Sequence, residues 1–394
     1  MQLIWSLYWE GKEAPERIIE VYLKSLNLMK YVFLMKAIRN FFYISLPSLL
    51  VLLLILELFF RFVIKASDPP MSYFYEKEKL YAFADSNTNG IITIGKAAEI
   101  KANWHINNKH WNYPIDYREV KEKKLISVIG DSYIEAFQVN VDKSYPFLLR
   151  SSFNNEYEVY AFGKSGAPLS QYLHMSRYVN RHFKSDILIF NIVLNDFDES
   201  IRELNPSDSQ FLQVSFDKND SITETVPQTN NSYPQYQSWK RLLYKSAFFR
   251  YLYLNIKVSE IRAKYLAPQK YGYEGNIDPL SVQKNKELIL KAMIYLVKKI
   301  KDENKDKRVV FVMDAPREAI YHDSLDKSKV AWMYDMMRNI CLESGVEFLD
   351  LTPYMKADFW KNKIKFNSAL DGHWNEYGHH VVAEIISAYL RRYK

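Results

Sequence analysis

In this chain of 394 residues, the segment KLISVIGDSYIEA (124–136) gives the clearest indication of the fold. Its first seven residues are mostly apolar and β-branched and end in glycine, which is typical of a buried strand. Asp131 and Ser132 follow directly, where the strand gives way to a helical turn. A strand that is apolar on both faces favours a parallel sheet that helices cover on both sides.

Four further apolar runs of the same kind follow, and helical patterns separate them. The predicted strands are 156–163, 186–196, 308–314 and 346–351, and the predicted helices are Pro168–Phe183, Val282–Ile300, Ser328–Ser344 and Trp374–Arg392. This alternation predicts an α/β fold, a flavodoxin-like three-layer α/β/α sandwich around a parallel five-stranded sheet, over residues 123–394. The polar segment at about 200–280, with helix at Ser238–Val258, is predicted to be an insertion that forms a lid or substrate wall.

The N-terminal part contains the apolar run FFYISLPSLLVLLLILELFF (41–60), in which Glu57 is the one ionisable residue. A helix of this length crosses the hydrocarbon core of a bilayer. We therefore predict a transmembrane helix over 41–64, with Glu57 and Arg61 paired on one face. A core helix is rarely apolar on all faces, and a cleaved signal peptide would begin nearer residue 1 and end in small residues. We favour a retained single-pass signal-anchor.

The cations on the two sides of this run predict its orientation. Those before it are Lys24, Lys30, Lys36 and Arg39, and those after it are Arg61 and Lys65. The positive-inside rule then places residues 1–40 in the cytoplasm and the chain after about residue 66 outside it. The predicted location is the cytoplasmic membrane, with the large domain periplasmic or extracellular. Residues 66–122, with short β-like runs such as 91–94, are predicted to be a connector packed on that domain.

The composition excludes several other classes of protein. Hydrophobic residues make up 48% and charged residues 25%, which excludes a disordered or fibrous chain. The single cysteine, Cys341, excludes an intrachain disulfide and a Cys-based zinc site. His379 and His380 are predicted to pack or to lie on a helix surface, so we expect neither a metal nor a cofactor. The net charge of +7 is diffuse, and the run 298–308 mixes both signs, so we expect no nucleic-acid partner.

Polar residues follow the predicted strands, at the sheet edge where α/β proteins bind ligands. A serine hydroxyl becomes a nucleophile when a base, usually histidine, takes its proton, and an acid on the other ring nitrogen fixes the tautomer. Ser132 is the candidate nucleophile, His373 the base and Asp371 the orienting acid. The negative oxygen of the transition state needs donors, which the N–H groups of Ser132 and Gly166 and the amide of Asn195 would supply.

Each of these residues also has a purely structural alternative. Ser132 and Asp371 could cap helices, Gly166 could be an ordinary turn glycine, and Asn195 could form an Asx turn. Asp131 is expected to hold the turn through a local hydrogen bond rather than to act as an acid.

Four blocks of the chain, in order, resemble the SGNH hydrolases, also called the GDSL-like lipase/esterase family. They are VIGDSYIEA (128–136), FGKSGAP (162–168), Val193-Leu194-Asn195-Asp196 and DGHWNEYGHH (371–380). The resemblance covers roughly 124–200 and 283–394. It implies the same roles for the serine, histidine and aspartate, and an oxyanion hole made by Ser132, Gly166 and Asn195.

Two positions depart from the pattern of that family. Val193 stands where the family has glycine. Many members have the acid three residues before the histidine, but Asp371 is two residues before His373. The two-residue spacing resembles the Asp-x-His-Trp variants of membrane-linked polysaccharide acetyl-esterases and O-acetyltransferases. The resemblance implies a membrane-anchored serine esterase or O-acyltransferase that acts on an acyl, chiefly O-acetyl, ester of an envelope polysaccharide or glycan. Its partners would be an acylated carbohydrate or small ester and, for transfer, a multi-pass acetyl donor protein. The alternative, motivated by Val193, is a catalytically inactive carbohydrate-binding or scaffold protein of such a pathway.

Overall fold

The computed structural model describes residues 14–120, 122–153, 156–206, 210–219, 221–229, 242–257 and 277–392. The chain divides into two compact units, Met1–Val63 and Ile64–Lys394. In its described part the first unit is one long helix. The second unit contains the sheet and all of the predicted site residues.

The helix of the first unit has three segments: α1 (Ala14–Asn40), a π-helical turn (Phe41–Ser45) and α2 (Leu46–Phe62). The π-helical turn ends two residues before Pro47, which has no N–H and whose ring would clash with the carbonyl one turn earlier. A wider turn at this position accommodates the proline without ending the helix.

This helix is longer than the span that the sequence predicts. Over Ile19–Phe62 it is long enough to cross a membrane, and it contains a strongly apolar stretch of which no residue is buried. The predicted span of 41–64 begins inside the helix, because α1 continues through the π-helical turn into α2. Arg61 Nε donates to Glu57 Oε1 at 3.0 Å, as their four-residue spacing predicts.

The second unit contains all of the described strands. In chain order they are β1 (Ser72–Tyr75), β2 (Leu80–Phe83), β3 (Thr88–Ile94), β4 (Ile100–Ile106), β5 (Lys124–Gly130), β6 (Tyr157–Gly163), β7 (Ile187–Ile192), β8 (Gln213–Phe216), β9 (Ile222–Thr225), β10 (Arg308–Met313) and β11 (Glu347–Asp350). Five of them form a parallel sheet in the order β11-β10-β7-β5-β6. Counted along the chain this is the flavodoxin-like order 2-1-3-4-5, which confirms the predicted fold class.

Four of the five predicted sheet strands begin and end within one residue of the prediction, and the third is too long. That strand was predicted over 186–196, but β7 ends at Ile192. The N–H of Val193 donates to Asp196 Oδ2 at 2.8 Å, so the chain turns although its residues remain apolar. This turn directs Asn195 away from the line of the strand.

Helices follow the strands of the sheet. In chain order the described helices are α3 (Ser132–Glu135), a 3₁₀ turn (Val141–Lys143), α4 (Tyr145–Ser152), α5 (Leu169–His182), α6 (Asp196–Glu199), α7 (Ala247–Arg250) with a π-helical turn (Tyr251–Asn255), α8 (Pro279–Lys284), α9 (Lys286–Glu303), α10 (Arg317–Tyr321), a 3₁₀ turn (Leu325–Lys327), α11 (Ala331–Glu343), α12 (Thr352–Asn362) and α13 (Glu376–Arg392). Helix α9 packs between α5 and α11, whereas α4 packs against α13, and these two groups flank the sheet.

The core of this unit lies in the central strands. All six residues of β7 are buried, as are six of the seven residues of β5. Each fully buried aliphatic or aromatic side chain contributes roughly 1.5–3 kcal/mol by leaving water. This burial fixes the carboxyl ends of the strands, where the predicted site residues lie.

The connector and the insertion add three antiparallel hairpins, which pair β1 with β2, β3 with β4, and β8 with β9. The connector packs on the sheet domain through Tyr117, whose ring stacks on Tyr160 at 4.1 Å and whose hydroxyl donates to the carbonyl of Ala161 at 2.7 Å. In the insertion, the helix predicted over Ser238–Val258 is present at 242–244 and at 247–255, and both ends of that prediction lie outside the described residues.

Candidate active site

Ser132 lies at the turn between β5 and α3. Asp131 caps that helix, because its Oδ1 accepts a hydrogen bond from the N–H of Tyr133 at 3.0 Å. Asp131 therefore holds the turn locally, as expected. A side chain at Gly130 would overlap that of Ile134, so the turn requires glycine directly before Asp131.

A chain of hydrogen bonds joins Ser132, His373 and Asp371. His373 Nε2 lies 2.7 Å from Ser132 Oγ, and His373 Nδ1 lies 2.6 Å from Asp371 Oδ1. A neutral imidazole with its proton on Nδ1 fits both contacts, because the serine hydroxyl donates and the carboxylate accepts. Asp371 Oδ1 also accepts from the backbone N–H of His373 at 2.8 Å. The two-residue spacing thus closes a tight turn that directs the carboxylate at the ring.

The pKa values of the two aspartates nearest Ser132 and His373 are shifted in opposite directions. Burial alone would raise the pKa of Asp371, but the hydrogen bond and the charge of His373 outweigh it, and the pKa lies below its ordinary value. Burial raises the pKa of Asp131 to about 6, although the N–H of Tyr133 lowers it in part. Asp371 therefore stays ionised well below neutral pH, as an orienting carboxylate requires.

The residues that follow β10 hold the loop that carries His373. Arg317 Nη1 donates to the carbonyl of Gly372 at 2.7 Å, and Arg317 Nη2 pairs with Asp314 Oδ2 at 3.1 Å. Asp314 Oδ1 accepts a hydrogen bond from Trp374 Nε1 at 3.0 Å. The loop is thus tied on both sides of His373, at the preceding carbonyl and at the following indole.

Tyr133 connects this support to the serine turn. Its ring lies 4.9 Å from the imidazole of His373, and the guanidinium of Arg317 lies 5.4 Å from its ring centre. Arg317 Nη2 also donates to the Tyr133 hydroxyl. The residue next to Ser132 and the residue that supports the histidine loop therefore form one packed group.

The turn after β6 carries Gly166 with a φ of +77°, a left-handed conformation that favours glycine. A buried ion pair holds this turn, with Lys164 Nζ 3.3 Å from Glu135 Oε1. Glu135 Oε2 also accepts from the N–H of Ser165 at 3.1 Å. Because Glu135 ends the helix that starts at Ser132, the same carboxylate fixes the Gly166 turn relative to the serine.

The turn after β7 carries Asn195 and is held by a buried carboxylate. Asp196 accepts from the backbone N–H of Val193 and from the hydroxyl of Tyr172, which lies 3.0 Å from Oδ2. Burial raises the pKa of Asp196 well above its ordinary value, and the charge of Asp131 adds to the effect. Asn195 Nδ2 donates one hydrogen bond to Glu199 at 2.9 Å, which fixes the orientation of its amide.

The predicted site residues thus lie at one edge of the sheet. Ser132, His373 and Asp371 are joined by hydrogen bonds. Gly166 and Asn195 follow β6 and β7, which are the two neighbours of β5 in the sheet. The turns that carry them therefore flank the serine turn, and the role of both residues in an oxyanion hole stays a prediction.

A cavity of about 270 Å³ opens at this edge between the residues that follow β7 and those that follow β10. Its walls include Tyr133 and Gly372, which are neighbours in sequence of Ser132 and His373. In the described part of the chain, no group of three or more His, Cys, Asp or Glu side chains is placed to hold a metal ion.

Reasoning from the sequence missed the residues that support this site. Glu135 and Lys164 pair across 29 residues, and Arg317 donates to Gly372 and Tyr133, which lie far from it in sequence. No local pattern predicts these contacts. Arg317 carried one usable signal, since it lies three residues after Asp314 at the start of a helix that follows a strand end.

No family model matches the chain, and no curated protein matches it. Among solved structures, the chain is similar to a member of the lipolytic protein G-D-S-L family from Veillonella parvula, with 11% identity and a TM-score of 0.37 over 68% of this chain and 96% of that one. An acetyl xylan esterase matches with 14% identity and a TM-score of 0.37 over 67% and 98%. A carbohydrate acetylesterase from Sinorhizobium meliloti matches with 10% identity and a TM-score of 0.34 over 69% and 100%. The order of the sheet, with the four sequence blocks at its carboxyl edge, agrees with the resemblance to the SGNH hydrolases.

Proposed function

We propose that this chain is a membrane-anchored serine esterase or O-acyltransferase that acts through an acyl-enzyme on O-acetyl esters of an envelope glycan. The observation that carries the proposal is the hydrogen-bonded chain from Ser132 through His373 to Asp371. The inactive-scaffold alternative rested on Val193. That residue is not among the described positions with a positive φ, so the turn has no need of glycine there.

In the first half of the reaction, Ser132 Oγ attacks the ester carbonyl while His373 Nε2 takes its proton. The imidazolium that forms is stabilised by Asp371, which accepts a hydrogen bond from Nδ1. The carbonyl oxygen becomes negative and is held by the N–H groups of Ser132 and Gly166 and by the Asn195 amide. The C–O bond to the alcohol then breaks, and His373 returns its proton to the leaving oxygen.

In the second half, an incoming hydroxyl releases the acyl group. His373 removes a proton from that hydroxyl, whose oxygen attacks the acyl-serine, and the serine leaves with the proton. Water as the acceptor gives hydrolysis, whereas a sugar hydroxyl gives O-acetyl transfer. A multi-pass membrane protein that delivers acetyl groups would be the partner for transfer.

The location belongs to the same proposal. The apolar helix Ile19–Phe62 supports a single-pass anchor, and the excess of cations before residue 41 supports a cytoplasmic N-terminus. The sheet domain would then act on the outer side of the cytoplasmic membrane, where envelope glycans are found.

The test combines labelling with mutant kinetics on the full chain in detergent. A fluorophosphonate probe is expected to label Ser132, and Ser132→Ala or His373→Ala is expected to lower kcat on p-nitrophenyl acetate by about 10⁶-fold. The double variant is expected to lose little more, because the two residues act as a unit. Asp371→Asn is expected to cost less, about 10⁴-fold, since the imidazole remains but loses its favoured tautomer.

Ser151→Ala is the matched control, because Ser151 is an exposed serine on α4. It is expected to leave both labelling and turnover unchanged. A folded wild-type protein that neither reacts with the probe nor hydrolyses the ester would contradict the proposal and favour a glycan-binding role.

A further inference from the structure

The insertion carries an exposed hydrophobic surface on the segment LLYKSAFFRYLYLNIK (242–257), which contains α7 and the π-helical turn after it. Four large hydrophobic side chains of this segment are exposed, and together they are called here the insertion face: Leu242, Leu243, Phe249 and Tyr253. Hydrophobic side chains that are exposed together on one element mark a surface that contacts a partner or a membrane.

Local contacts bring the members of the insertion face together. Phe249 and Tyr253 are four residues apart in the helical stretch, so their side chains lie on one side of it. The ring of Tyr253 lies 6.3 Å from the ring of Tyr244, and Arg250 Nη1 donates to the carbonyl of Tyr244 at 2.7 Å. The two leucines directly before Tyr244 are therefore held close to the helical stretch.

The composition of the segment fits the headgroup region of a bilayer. Five of its sixteen residues are aromatic, three of them tyrosine, and tyrosine is enriched where a membrane meets water. Its charged residues are Lys245, Arg250 and Lys257, and it contains no aspartate or glutamate. Hydrophobic side chains accompanied by cations are typical of segments that bind the surface of anionic lipids.

The segment is fixed to the residues that follow the apolar helix in the chain. Arg250 Nε donates to the carbonyl of Ser67 at 2.9 Å, and the N–H of Ser67 donates to Asn255 Oδ1 at 3.1 Å. All three residues are at least nine-tenths buried. Ser67 is five residues after Phe62, the last residue of α2, and five residues of chain span at most about 18 Å. A bilayer that α2 crosses is therefore within short reach of this segment.

The same segment lies beside the loop that carries Asp371. Asn255 Nδ2 donates to the carbonyl of Gly95 at 3.2 Å, and a side chain at Gly95 would come within 3.1 Å of Leu370 Cδ1. Leu370 directly precedes Asp371. The charge of Lys257 is also one of the influences that lower the pKa of Asp371. A membrane against the insertion face would thus lie on one side of the candidate active site.

We propose that the insertion face lies in the headgroup region of the bilayer that α2 crosses, as a second contact of this chain with the membrane, and brings the candidate active site to esters held at the membrane surface. The proposal rests on the proposed function, whose single-pass anchor supplies the bilayer. It adds a lipid surface as the partner of the insertion and a membrane-held ester as the substrate class.

The first experiment measures lipid contact at two exposed leucines of the full chain in vesicles of phosphatidylcholine and phosphatidylglycerol. Leu242→Cys and Leu342→Cys are labelled with the fluorophore nitrobenzoxadiazole, because the native Cys341 is fully buried. Leu342 is the matched control, since it lies near the end of α11, shortly before β11 begins at the sheet edge opposite the site. Quenching by a lipid with a nitroxide on its headgroup is expected to be at least threefold stronger at residue 242.

Separate outcomes test the anchor and the insertion face. A chain that an alkaline carbonate wash releases from the vesicles would remove the proposed anchor. A retained chain with equally weak quenching at both positions would overturn the second contact and leave the anchor standing, and cross-linking between two such Leu242→Cys chains would assign the face to a second copy. Phe249→Cys replaces Leu242→Cys if circular dichroism shows that the latter does not fold.

The second experiment tests the substrate class with two acetate esters. The double variant Leu242→Asp/Phe249→Asp is expected to lower kcat/KM at least fivefold for hexadecyl acetate held in the same vesicles. For soluble p-nitrophenyl acetate the change is expected to be less than twofold, and Leu342→Asp should change neither value. Equal losses on both esters, or no loss on hexadecyl acetate, would overturn the proposal and leave the esterase standing. A wild type inert towards both esters would instead remove the proposed function itself.

Discussion

At the scale of single residues, His373 shows how much of the site lies outside the Ser132–His373–Asp371 chain. Its loop is fixed by Arg317 on the Gly372 carbonyl and by Asp314 on the Trp374 indole. The Asp-Gly-His spacing works because one carboxylate oxygen of Asp371 accepts from both the backbone N–H and the ring of His373. With this spacing the Asp371 carboxylate still contacts the imidazole of His373, although the two residues are closer in sequence than in the family pattern.

Asn195 is the candidate side-chain donor to the oxyanion, and its role can be tested by substitution. Its Nδ2 keeps one N–H on Glu199, which leaves the second N–H of the amide for an oxyanion. Asn195→Ala is expected to lower kcat on p-nitrophenyl acetate by about 10²–10³-fold with little change in KM, because one preorganised donor is lost. Steady-state kinetics on the folded variant measure the effect.

Two further variants test the orientation of the Asn195 amide. Glu199→Gln keeps an acceptor for Nδ2 and is expected to stay close to wild-type kcat. Val193→Gly restores the family residue and is also expected to leave kcat near wild type, while loss of a buried side chain lowers the free energy of unfolding by about 1.5–3 kcal/mol. A large gain in kcat for Val193→Gly would mean that the valine mispositions the oxyanion hole. If Asn195→Ala were silent as well, the assignment of the Asn195 amide to the oxyanion would be withdrawn.

The sequence predicts the candidate catalytic residues better than the residues that support them. Ser132 and His373 lie in short local blocks that follow predicted strands, and the carboxyl ends of parallel strands meet at one edge of a sheet. Glu135 and Lys164 could not be predicted as a pair, because they are 29 residues apart and meet only when β6 lies beside β5. Non-local pairs of this kind depend on register, which the hydrophobic pattern alone does not specify.

At the scale of elements, strand ends were predictable where glycine or a charged residue follows the apolar run. The end of β7 was not, because Val193 and Leu194 prolong the run while the Asp196 carboxylate already turns the backbone. The helix predicted over Val282–Ile300 is two helices, α8 and α9, which meet at Asn285. Apolar periodicity continues across that junction, so the pattern does not show the break.

Helix α13 packs on α4 and brings a buried histidine to the start of that helix. His379 of α13 is fully buried, and its Nδ1 accepts from the backbone N–H of Tyr145 at the start of α4 at 3.2 Å. Burial lowers the pKa of His379 to about 3, and the charges of His373 and Arg317 add to this shift. His379 is thus a packing residue, as expected.

Its effect on stability follows from the two pKa values. An unfolded chain takes up the proton below about pH 6.5, whereas the folded chain does so only near pH 3. Between these values the free energy of unfolding falls as the pH falls, by about 1.4 kcal/mol per pH unit from this group. His379→Asn keeps an acceptor for the Tyr145 N–H and is expected to flatten the pH dependence between pH 6 and 4 by that amount.

Urea denaturation of the full chain in detergent at pH 7, 6, 5 and 4 measures the effect. His380→Asn is the matched control, since His380 is exposed and lies 3.4 Å from Glu384 on the surface of the same helix. It is expected to leave the slope unchanged. An unchanged slope in His379→Asn would mean that this histidine takes up its proton in the folded state.

At the scale of the whole molecule, the connector also contributes hydrogen bonds to the residues that support the candidate site. Asn112 Nδ2 donates to the carbonyl of Glu135 at 2.7 Å, and Lys164 Nζ donates to Ser72 Oγ at 2.7 Å. Two connector segments thus contact the two residues of the ion pair that holds the Gly166 turn, one at the backbone of Glu135 and one at the ammonium group of Lys164. The sequence predicts that the connector packs on the sheet domain, but which of its polar groups reach the site depends on the hairpins, whose registers the sequence does not give.

The orientation of the chain across the membrane depends on the charges that flank the apolar run of the first unit. Four cations precede residue 41 and two follow residue 60 within the flanks of the apolar run, so the N-terminal end is expected to stay in the cytoplasm. A reporter enzyme that is active only outside the cytoplasm, fused after Lys394, is expected to be active, and one that is active only inside is expected to be silent. Deletion of 41–62 removes the most apolar part of the helix and should silence the outer reporter, because nothing then carries the domain across. A stable fusion with the reverse pattern would show that the sheet domain lies in the cytoplasm. The proposed esterase could then not reach envelope glycans, even if Ser132 is a nucleophile.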